Sequence, residues 1–579
     1  MKKTITTLAL VACAFFSRGQ VCFSPMITYT VSDFPSGTIL ANADFNKDGK
    51  QDLAVAPGGT QNPCGQILLG LGNGNFATPS SSSGAFGGNG VFGCLGAINS
   101  ISVADYNGDL NPDISLTIAN NDIISVFLGD GTGNFGSAIT YTLSGTLLNA
   151  ITSADFNGDH KIDLAVANLG GGSGNTISVL LNTSTSTVTA SFGSPTNYFV
   201  GTGPNLIICQ DFNNDGDSDI VVSNSGSNSI SFLKGTGSGT FNTAVNTNIT
   251  LFPNISADFN NDGDADLAGS TTNVTGFFTQ LGTGSGSFGS QTSYPQTPLP
   301  YPTFVISGDY NGDGYQDIVM NSDLYGGVYL SLNNGSGGFG TSYSTLFSSG
   351  SNWLSSSLVG ADFNNDGRED IAVAYGNPSS TTIGLVGVLL NLPSPTVTAT
   401  TSTLNLCVDS MATLTASGAN TYTWTTGIGS TVGYGSPIIV TPTVTTTYTV
   451  TGTDTSLVSI YQQYGTFNGC TDKYVITQTV TNCSASGIEQ FANNSEVVIY
   501  PNPNNGSFVI ETNAETKQTI QMYDVNGKMV LSQTIQPSPN PSKEGTGIAI
   551  DASALNEGVY NISLQSNEGV VNKRLVIVR

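Results

Sequence analysis

Seven short stretches of this chain set carboxylates and carboxamides at intervals that suit one kind of chemistry, the capture of a hard cation by oxygen. They read DFNKDGKQD, DYNGDLNPD, DFNGDHKID, DFNNDGDSD, DFNNDGDAD, DYNGDGYQD and DFNNDGRED. In each, oxygen-bearing side chains stand at the first, third, fifth and ninth positions. The candidate ligands are Asp44, Asn46, Asp48 and Asp52; Asp105, Asn107, Asp109 and Asp113; Asp155, Asn157, Asp159 and Asp163; and Asp211, Asn213, Asp215 and Asp219. The remaining loops offer Asp258, Asn260, Asp262 and Asp266; Asp309, Asn311, Asp313 and Asp317; and Asp362, Asn364, Asp366 and Asp370. A tight loop so spaced wraps a cation that takes roughly six to eight oxygens, which makes Ca2+ the natural occupant, with up to seven ions per chain. An EF-hand would need a Glu three residues further on and flanking helices. Val55, Leu116, Val166, Val222, Gly269, Met320 and Val373 stand there, so that reading fails. Leu110 and His160 replace the sixth-position Gly of the sharp turn, and weaker binding is expected at those two loops. The Asp105 loop should suffer more, because Leu tolerates a positive φ poorly.

The elements that must position these loops are strands. A short β-type run follows each loop (DLAVA, DISLT, DLAVA, DIVVS, DLAGS, DIVMN, DIAVA). The first Asp residues recur on average every 53 residues between Asp44 and Asp362, about the length of a four-stranded propeller blade. Within a period, strand A precedes the loop, strand B follows it, and strand C (SVFLG, ISVLLN, ISFLK, VYLSLN) leads through a Gly-rich turn to a Phe and strand D. Phe76, Phe135, Phe241, Phe288 and Phe339 end such turns. The seventh repeat stops at VGVLLN without its turn, while FSPMITYTV from Phe23 matches FGSAITYTL from Phe135. The N-terminal strand is therefore expected to supply strand D of the last blade and leave no open edge. The fold class read from the sequence is all-β: a seven-bladed β-propeller over residues 21–392, then an Ig-like β-sandwich and a small C-terminal β-sandwich.

Charged residues make up only 9% of the chain, whereas hydrophobic residues reach 38% with 71 Gly, which describes a turn-rich β protein rather than a disordered one. The first, fifth and ninth loop positions hold 21 of the 40 acidic residues, so seven bound dications would bring the formal charge from −25 to −11. The acidity is mostly loop chemistry. With no basic clusters, nucleic acid and anionic membrane are poor partners. Residues 1–20, basic at Lys2 and Lys3 and then apolar, read as a secretory signal peptide, and no later apolar stretch is long enough to span a bilayer. Cys64 and Cys94 flank an insertion they could bridge, and Cys209, in an apolar strand, is expected as a buried thiol. Residues 393–484 are Thr-rich, with Cys407, Trp424 and Cys470 in the Cys, Trp, Cys order of an immunoglobulin-like sandwich. They resemble the Ig-like or PKD-like modules of bacterial surface proteins and read as a spacer, followed by a linker over 485–495.

The Asp loops with their Phe-Gly and Gly-rich companions resemble the FG-GAP (VCBS) repeats of integrin α-subunit propellers and of secreted bacterial proteins, over roughly residues 22 to 392. The resemblance implies calcium loops that hold the fold in shape. It also implies a ligand face opposite them, built from segments such as 80 to 98, 144 to 150, 200 to 205 and 345 to 356. Residues 496–579 resemble the type A sorting domain of the Bacteroidetes type IX secretion system. The matching pieces are VVIYPNPNNGSFVI, IQMYDVNGKMV, LNEGVYNISL and VNKRLVIV, while PSPNPSKEGTG reads as an inserted loop. This second resemblance implies the type IX machinery as a partner and a destination outside the cell or on its outer surface.

Groups suited to acid–base catalysis are scarce. Between Phe23 and Leu392 the basic residues are Lys47, Lys50, Lys161, Lys234 and Arg368, the one His is His160, and Asp33, Asp122, Asp130 and Asp323 are the carboxylates outside the loops. Trp353 is a candidate sugar-stacking platform in a loop. The reading is a secreted or cell-surface calcium-binding adhesion or recognition module, without enzymatic activity, for an extracellular protein or neutral glycan. The alternatives are an extracellular polysaccharide-acting enzyme, lyase or glycosidase, and a structural matrix protein.

Overall fold

Runs rich in Val, Ile, Leu and Phe follow the Asp loops and become strands, while the Gly, Asn and Ser between them turn. The computed structural model describes residues 21–32, 38–56, 65–77, 91–92, 98–118, 122–143, 147–270, 276–295, 302, 304–321, 327–346, 354–376, 383–427, 429–455, 470–481, 497–511, 517–536, 547–566 and 569–579. It is all-β; the one helical turn among the described residues is Gly170–Gly172. No helix among them is long and apolar enough to cross a membrane.

Seven four-stranded antiparallel sheets run in strand order A, B, C, D among the described residues. In the third, Leu148–Ala154, Asp163–Asn168, Thr176–Leu180 and Thr196–Phe199 follow one another. Strand B opens on the ninth-position Asp in every sheet and is buried along its length, Ser270 at the end of the fifth excepted. A strand covered on both faces needs a neighbour on each side, which explains the continuous apolar runs. The neighbours are the adjacent sheets. Leu116 of the second sheet packs with Ala54 of the first, Tyr375 of the seventh with Val319 of the sixth, and Val388 of the seventh with Leu53 of the first. Each sheet thus packs on the next and the last on the first, the arrangement of a β-propeller.

Closure follows the match between the chain's two ends. Ile27–Ser32 pairs antiparallel with Ile383–Leu389 as the outer strand of the seventh sheet, and Cys22–Phe23 pairs with Asn391–Leu392. Phe23 faces Asn391 in the register in which Phe76 faces Gly70, Phe135 faces Gly129 and Phe241 faces Gly235. The N-terminal segment therefore supplies both the strand and the Phe that the seventh repeat lacks.

Cys22, 1% exposed, is disulfide-bonded to Cys470, with Cα atoms 5.6 Å apart across 448 residues of sequence. Of the residues in the Cys407, Trp424, Cys470 order, Cys470 is thus bonded to the N-terminal segment and not to Cys407. Cys470 finds its partner on the closing strand, where the Cys22 sulfur also lies 3.6 Å from Ser394 Oγ. Cys407 is disulfide-bonded as well. Cys209 keeps a free thiol 3.2 Å from Thr152 Oγ1, and burial pushes its pKa up. Cys64 and Cys94 lie outside the described residues. The Cys22–Cys470 bond holds the closing segment in place in the folded chain and shortens the unfolded one. Cys22→Ser is therefore expected to lower the unfolding free energy by about 2–4 kcal/mol, read as a fall in the urea midpoint of the oxidised protein.

The chain divides into two compact units, one of Met1–Thr403, Ala412–Val440 and Thr446–Gln478, the other of Leu404–Met411, Thr441–Thr445 and Thr479–Arg579. In the first, the propeller is followed by the strands Thr398–Thr401, Ala412–Ser417 and Ile438–Val440 of one sheet and Thr421–Thr426, Thr431–Tyr434 and Thr446–Asp454 of another. Trp424 is fully buried there, its Nε1 donating to Gly435 O at 3.0 Å. The second unit ends in a β-sandwich, with Val498–Tyr500, Ser507–Glu511 and Ile548–Asp551 in one sheet and Gln518–Tyr523, Met529–Ile535, Gly558–Ser566 and Gly569–Ile577 in the other. Phe508, Ile510, Ile520, Met522, Ile562 and Leu575 fill its core. The inserted loop at residues 537–546 lies outside the described residues.

Candidate metal centres on the Asp loops

Every loop reverses through two left-handed residues. Lys47, Gly108, Gly158, Asn214, Asn261, Gly312 and Asn365 take positive φ at the fourth position, and Gly49, Leu110, His160, Gly216, Gly263, Gly314 and Gly367 at the sixth. Leu110 (φ 67°) and His160 (φ 65°) adopt the glycine conformation, so these two loops keep the common backbone at a cost of roughly 1–2 kcal/mol each. The side chain of Leu110 is turned out to solvent, 80% exposed.

The left-handed turns aim backbone amides at the side-chain oxygens. In the first loop, Asp44 accepts from Asp48 N at 3.0 Å and from Gly49 N at 2.8 Å, while Asn46 Oδ1 accepts from Asp48 N and Asp48 Oδ1 from Lys50 N. The sixth-position amide reaches the first Asp in the other loops too, at 2.8 Å from Leu110 to Asp105 and from His160 to Asp155. Lys50, Lys161 and Lys234 pair with Asp48, Asp159 and Asp215 at 3.0, 3.8 and 2.8 Å.

The ninth-position Asp has a second role that its spacing does not reveal. Asp52, Asp113, Asp163, Asp219, Asp266, Asp317 and Asp370 are all fully buried. One oxygen of each accepts from the amide of the second-position aromatic, at 2.8–3.1 Å. The other accepts from the amide that opens the connection from strand C to D, at 2.6–2.8 Å. Burial, and then the charges of the fifth and first carboxylates, push Asp52, Asp163 and Asp266 up to about 6 and Asp113, Asp317 and Asp370 up to about 7, against the lowering effect of the amides. Asp219 is raised for the same first reason.

Three like charges therefore oppose one another in each loop, and a bound cation would relieve that repulsion. Among the described residues no three acidic, His or Cys side chains already converge as a closed metal cluster. The loop amides hold these oxygens instead, and each oxygen keeps further acceptor capacity. The donors are hard oxygens with no thiolate and no shared imidazole, a set that fits calcium.

The loops also lie at the seams between sheets. The carbonyl of each second-position aromatic accepts a hydrogen bond from the next sheet: Phe45 O from Gly133 N, Phe156 O from Gly239 N, and Phe212 O from Gly286 N. Asn182, Asn333 and Asn391 use their Nδ2 in the same way on Tyr106, Phe259 and Tyr310. Gly74 N to Phe363 O, at 3.0 Å, completes the circle from the seventh sheet to the first. Edge-on ring pairs such as Phe45 with Phe135 and Phe363 with Phe76 reinforce the same contacts.

The other residues singled out by sequence are dispersed. Asp122 Oδ1 accepts from Leu147 N. Asp130 sits in a C–D turn; burial raises its pKa, but hydrogen bonds from Thr132 and Asn134 outweigh it and hold the carboxyl below the usual range. Lys234 is taken up by Asp215. Asp33, Asp323 and Trp353 lie outside the described residues. Sequence reasoning missed Glu369. Its carboxyl occupies space left by Gly308 and Gly360, where a Cβ on either would collide with it, and the hydroxyl of Tyr310 opens on the same gap. Burial, and then Asp309, push Glu369 up to about 7. The available signal was its position: it is the only charged residue among the eighth-position side chains, which are otherwise Gln51, Pro112, Ile162, Ser218, Ala265 and Gln316.

A β-propeller whose sheets are joined at repeated acidic loops defines the class. The chain carries FG-GAP-like repeats, matched at residues 44–116, 105–166, 211–269, 258–320 and 309–373, and a secretion system C-terminal sorting domain at residues 498–578. The sorting domain directs type IX secretion to the cell surface or the extracellular space. No curated protein matches this sequence. Among solved structures, one similar chain is an Agrocybe aegerita lectin, described for specific recognition of non-reducing terminal N-acetylglucosamine. It is 18% identical with a TM-score of 0.40, over 53% of this chain and 80% of the lectin. Another is a fungal alcohol oxidase of the AA5 family in complex with copper, 11% identical with a TM-score of 0.38, over 97% of this chain and 100% of the oxidase. Neither likeness bears on activity, and no enzyme family is evident for the chain.

Proposed function

We propose that the Asp loops bind calcium and that the propeller is an extracellular adhesion or recognition module for a protein or neutral glycan, with residues 393–484 as an Ig-like spacer. The observation that carries this reading is the place of the loops. Three carboxylates per loop stand at each seam between sheets, beside the carbonyl that latches one sheet to the next. When bound, calcium would neutralise those carboxylates and tie them together.

Strand B begins at the ninth-position Asp and ends at the B–C turn, so the surface far from the acidic loops is left for a ligand. In the fourth sheet that surface is built from small uncharged residues. Ser225 N donates to Gly203 O at 2.8 Å, Gly226 N to Thr202 O at 2.9 Å, and Thr202 N to Ser227 Oγ at 3.0 Å. Short hydroxyl-rich loops on a rigid frame favour a neutral, hydrogen-bonding partner. The purified calcium-loaded protein is expected to bind members of a neutral-glycan or matrix-protein array, to keep binding in about 0.5 M salt, where exposed charges are screened, and to release them in EGTA. Glu369, a carboxyl lifted to about 7 outside the ligand positions, is the observation that favours the enzyme alternative. Depolymerisation of a polysaccharide by the protein, lost in Glu369→Gln, would replace the recognition reading. Neither binding nor turnover would leave a structural matrix role.

A further inference from the structure

The third sheet joins strands C and D differently from its neighbours. Its bridge runs from Asn182 to Phe192, whereas others close from Gly70 to Phe76, Gly129 to Phe135, Gly235 to Phe241 and Gly282 to Phe288. The extra residues form a small hairpin of their own. Ser186 pairs with Thr189, Thr183 N donates to Ser191 O at 2.7 Å, and Ser191 N donates to Ser184 Oγ at 2.9 Å. Tyr141 OH donates to Ala190 O at 3.1 Å, and Phe192 packs edge-on against both Tyr106 and Tyr141.

This hairpin covers the Asp105 loop. Asn107 Nδ2 donates to Thr187 O at 2.8 Å, and Ser184 Oγ joins Asn182 Nδ2 on Tyr106 O. Asn107 is 6% exposed and is the one third-position Asn of the seven that is buried. We propose that residues 183–191 cap the Asp105 loop and make it the slowest of the loops to release calcium, although Leu110 marks it in the sequence as the weakest.

The inference rests on the reading that the loops bind calcium. Asn107 Nδ2 donates both to Thr187 O and, at 3.1 Å, to Asp109 Oδ2, while Oδ1 accepts from Asp109 N at 3.1 Å, so both ends of the carboxamide are held. A ligand held by an outer partner does not have to reorient to meet the ion, and site rigidity is one of the properties that tune calcium binding. Exit also requires water to replace the protein oxygens while the hairpin stands over one of them. The left-handed turn at Leu110 is already in place in the loop, so its cost falls on folding rather than on capture of the ion.

The test uses the full secreted chain loaded with calcium and mixed rapidly with a fluorescent chelator, with retained ions counted by native mass spectrometry. One ion per chain is expected to leave about tenfold more slowly than the others, a factor equivalent to about 1.4 kcal/mol. Replacing Thr183–Ser191 by the short turn found at 236–240 should abolish the slow phase and leave the other ions unchanged. Ser184→Ala, which keeps every loop ligand and removes the hydroxyl that ties the hairpin to Tyr106 O and to Ser191 N, should accelerate that phase and no other, and Asp109→Asn should remove the slow ion. A single release phase, or a slow phase that survives both the hairpin replacement and Ser184→Ala, overturns the cap while leaving the calcium reading intact. A protein that binds no calcium overturns both.

Discussion

Stripping calcium with EGTA is expected to cost the protein roughly 3 to 10 kcal/mol of stability. Seven independent sites with Kd on the order of 0.1 to 1 mM, at about 1 mM free calcium, each contribute roughly 0.4 to 1.4 kcal/mol. That sum is comparable with the whole net stability of an ordinary domain. The melting temperature should fall by on the order of 10 °C, and the propeller should become sensitive to protease. The loss is concentrated at the seams: without the ion, the carboxylates of each loop repel one another beside a bond such as Gly133 N to Phe45 O, which joins neighbouring sheets. Calorimetry and proteolysis across a calcium titration measure the effect. An unchanged melting curve with no bound ions would mean that the loop amides alone hold these turns, and the calcium reading would fall.

Asp317→Ala should lower stability by about 2 to 6 kcal/mol whether or not calcium is present. Asp317 accepts two backbone amides, Tyr310 N at 3.1 Å and Asn333 N at 2.8 Å, and each buried amide left without an acceptor costs roughly 1–3 kcal/mol. The substitution leaves both amides without their acceptor in a fully buried place and separates the A–B loop from the C–D connection. Asp313→Ala, at the fifth position, is expected to behave differently. Its carboxylate accepts from Tyr315 N and Asn311 Nδ2 near the surface, so the variant should lose stability in calcium and little in EGTA. Urea unfolding of both variants in both buffers separates the roles. Equal losses that both disappear in EGTA would reduce the ninth position to a ligand and nothing more.

The contrast between these two residues measures how far the sequence could be read. Both were legible as ligand candidates, because the loop pattern is local: nine residues contain every side chain, both left-handed turns and the start of strand B. Repetition made the four-stranded unit legible for the same reason. Ring closure was legible too, since Phe23 and Phe135 head matching segments and the strands they introduce take matching registers. The export signal at the C-terminus was readable from a few ordered pieces of sequence.

What the sequence by itself determined about this protein is therefore its repeating β unit, its acidic loops, the way its ends meet and its route out of the cell. Only the tertiary structure decided the rest. It gave the ninth Asp an acceptor role for an amide 16 to 21 residues away, joined Cys22 to Cys470, placed Glu369 in the gap left by Gly308 and Gly360, and laid the 183–191 hairpin over Asn107. These pairings depend on which sheet packs beside which, and on backbone atoms that are the same in every residue. Local propensity and spacing are blind to both; the contacts exist only once the apolar faces of neighbouring sheets have been buried against one another.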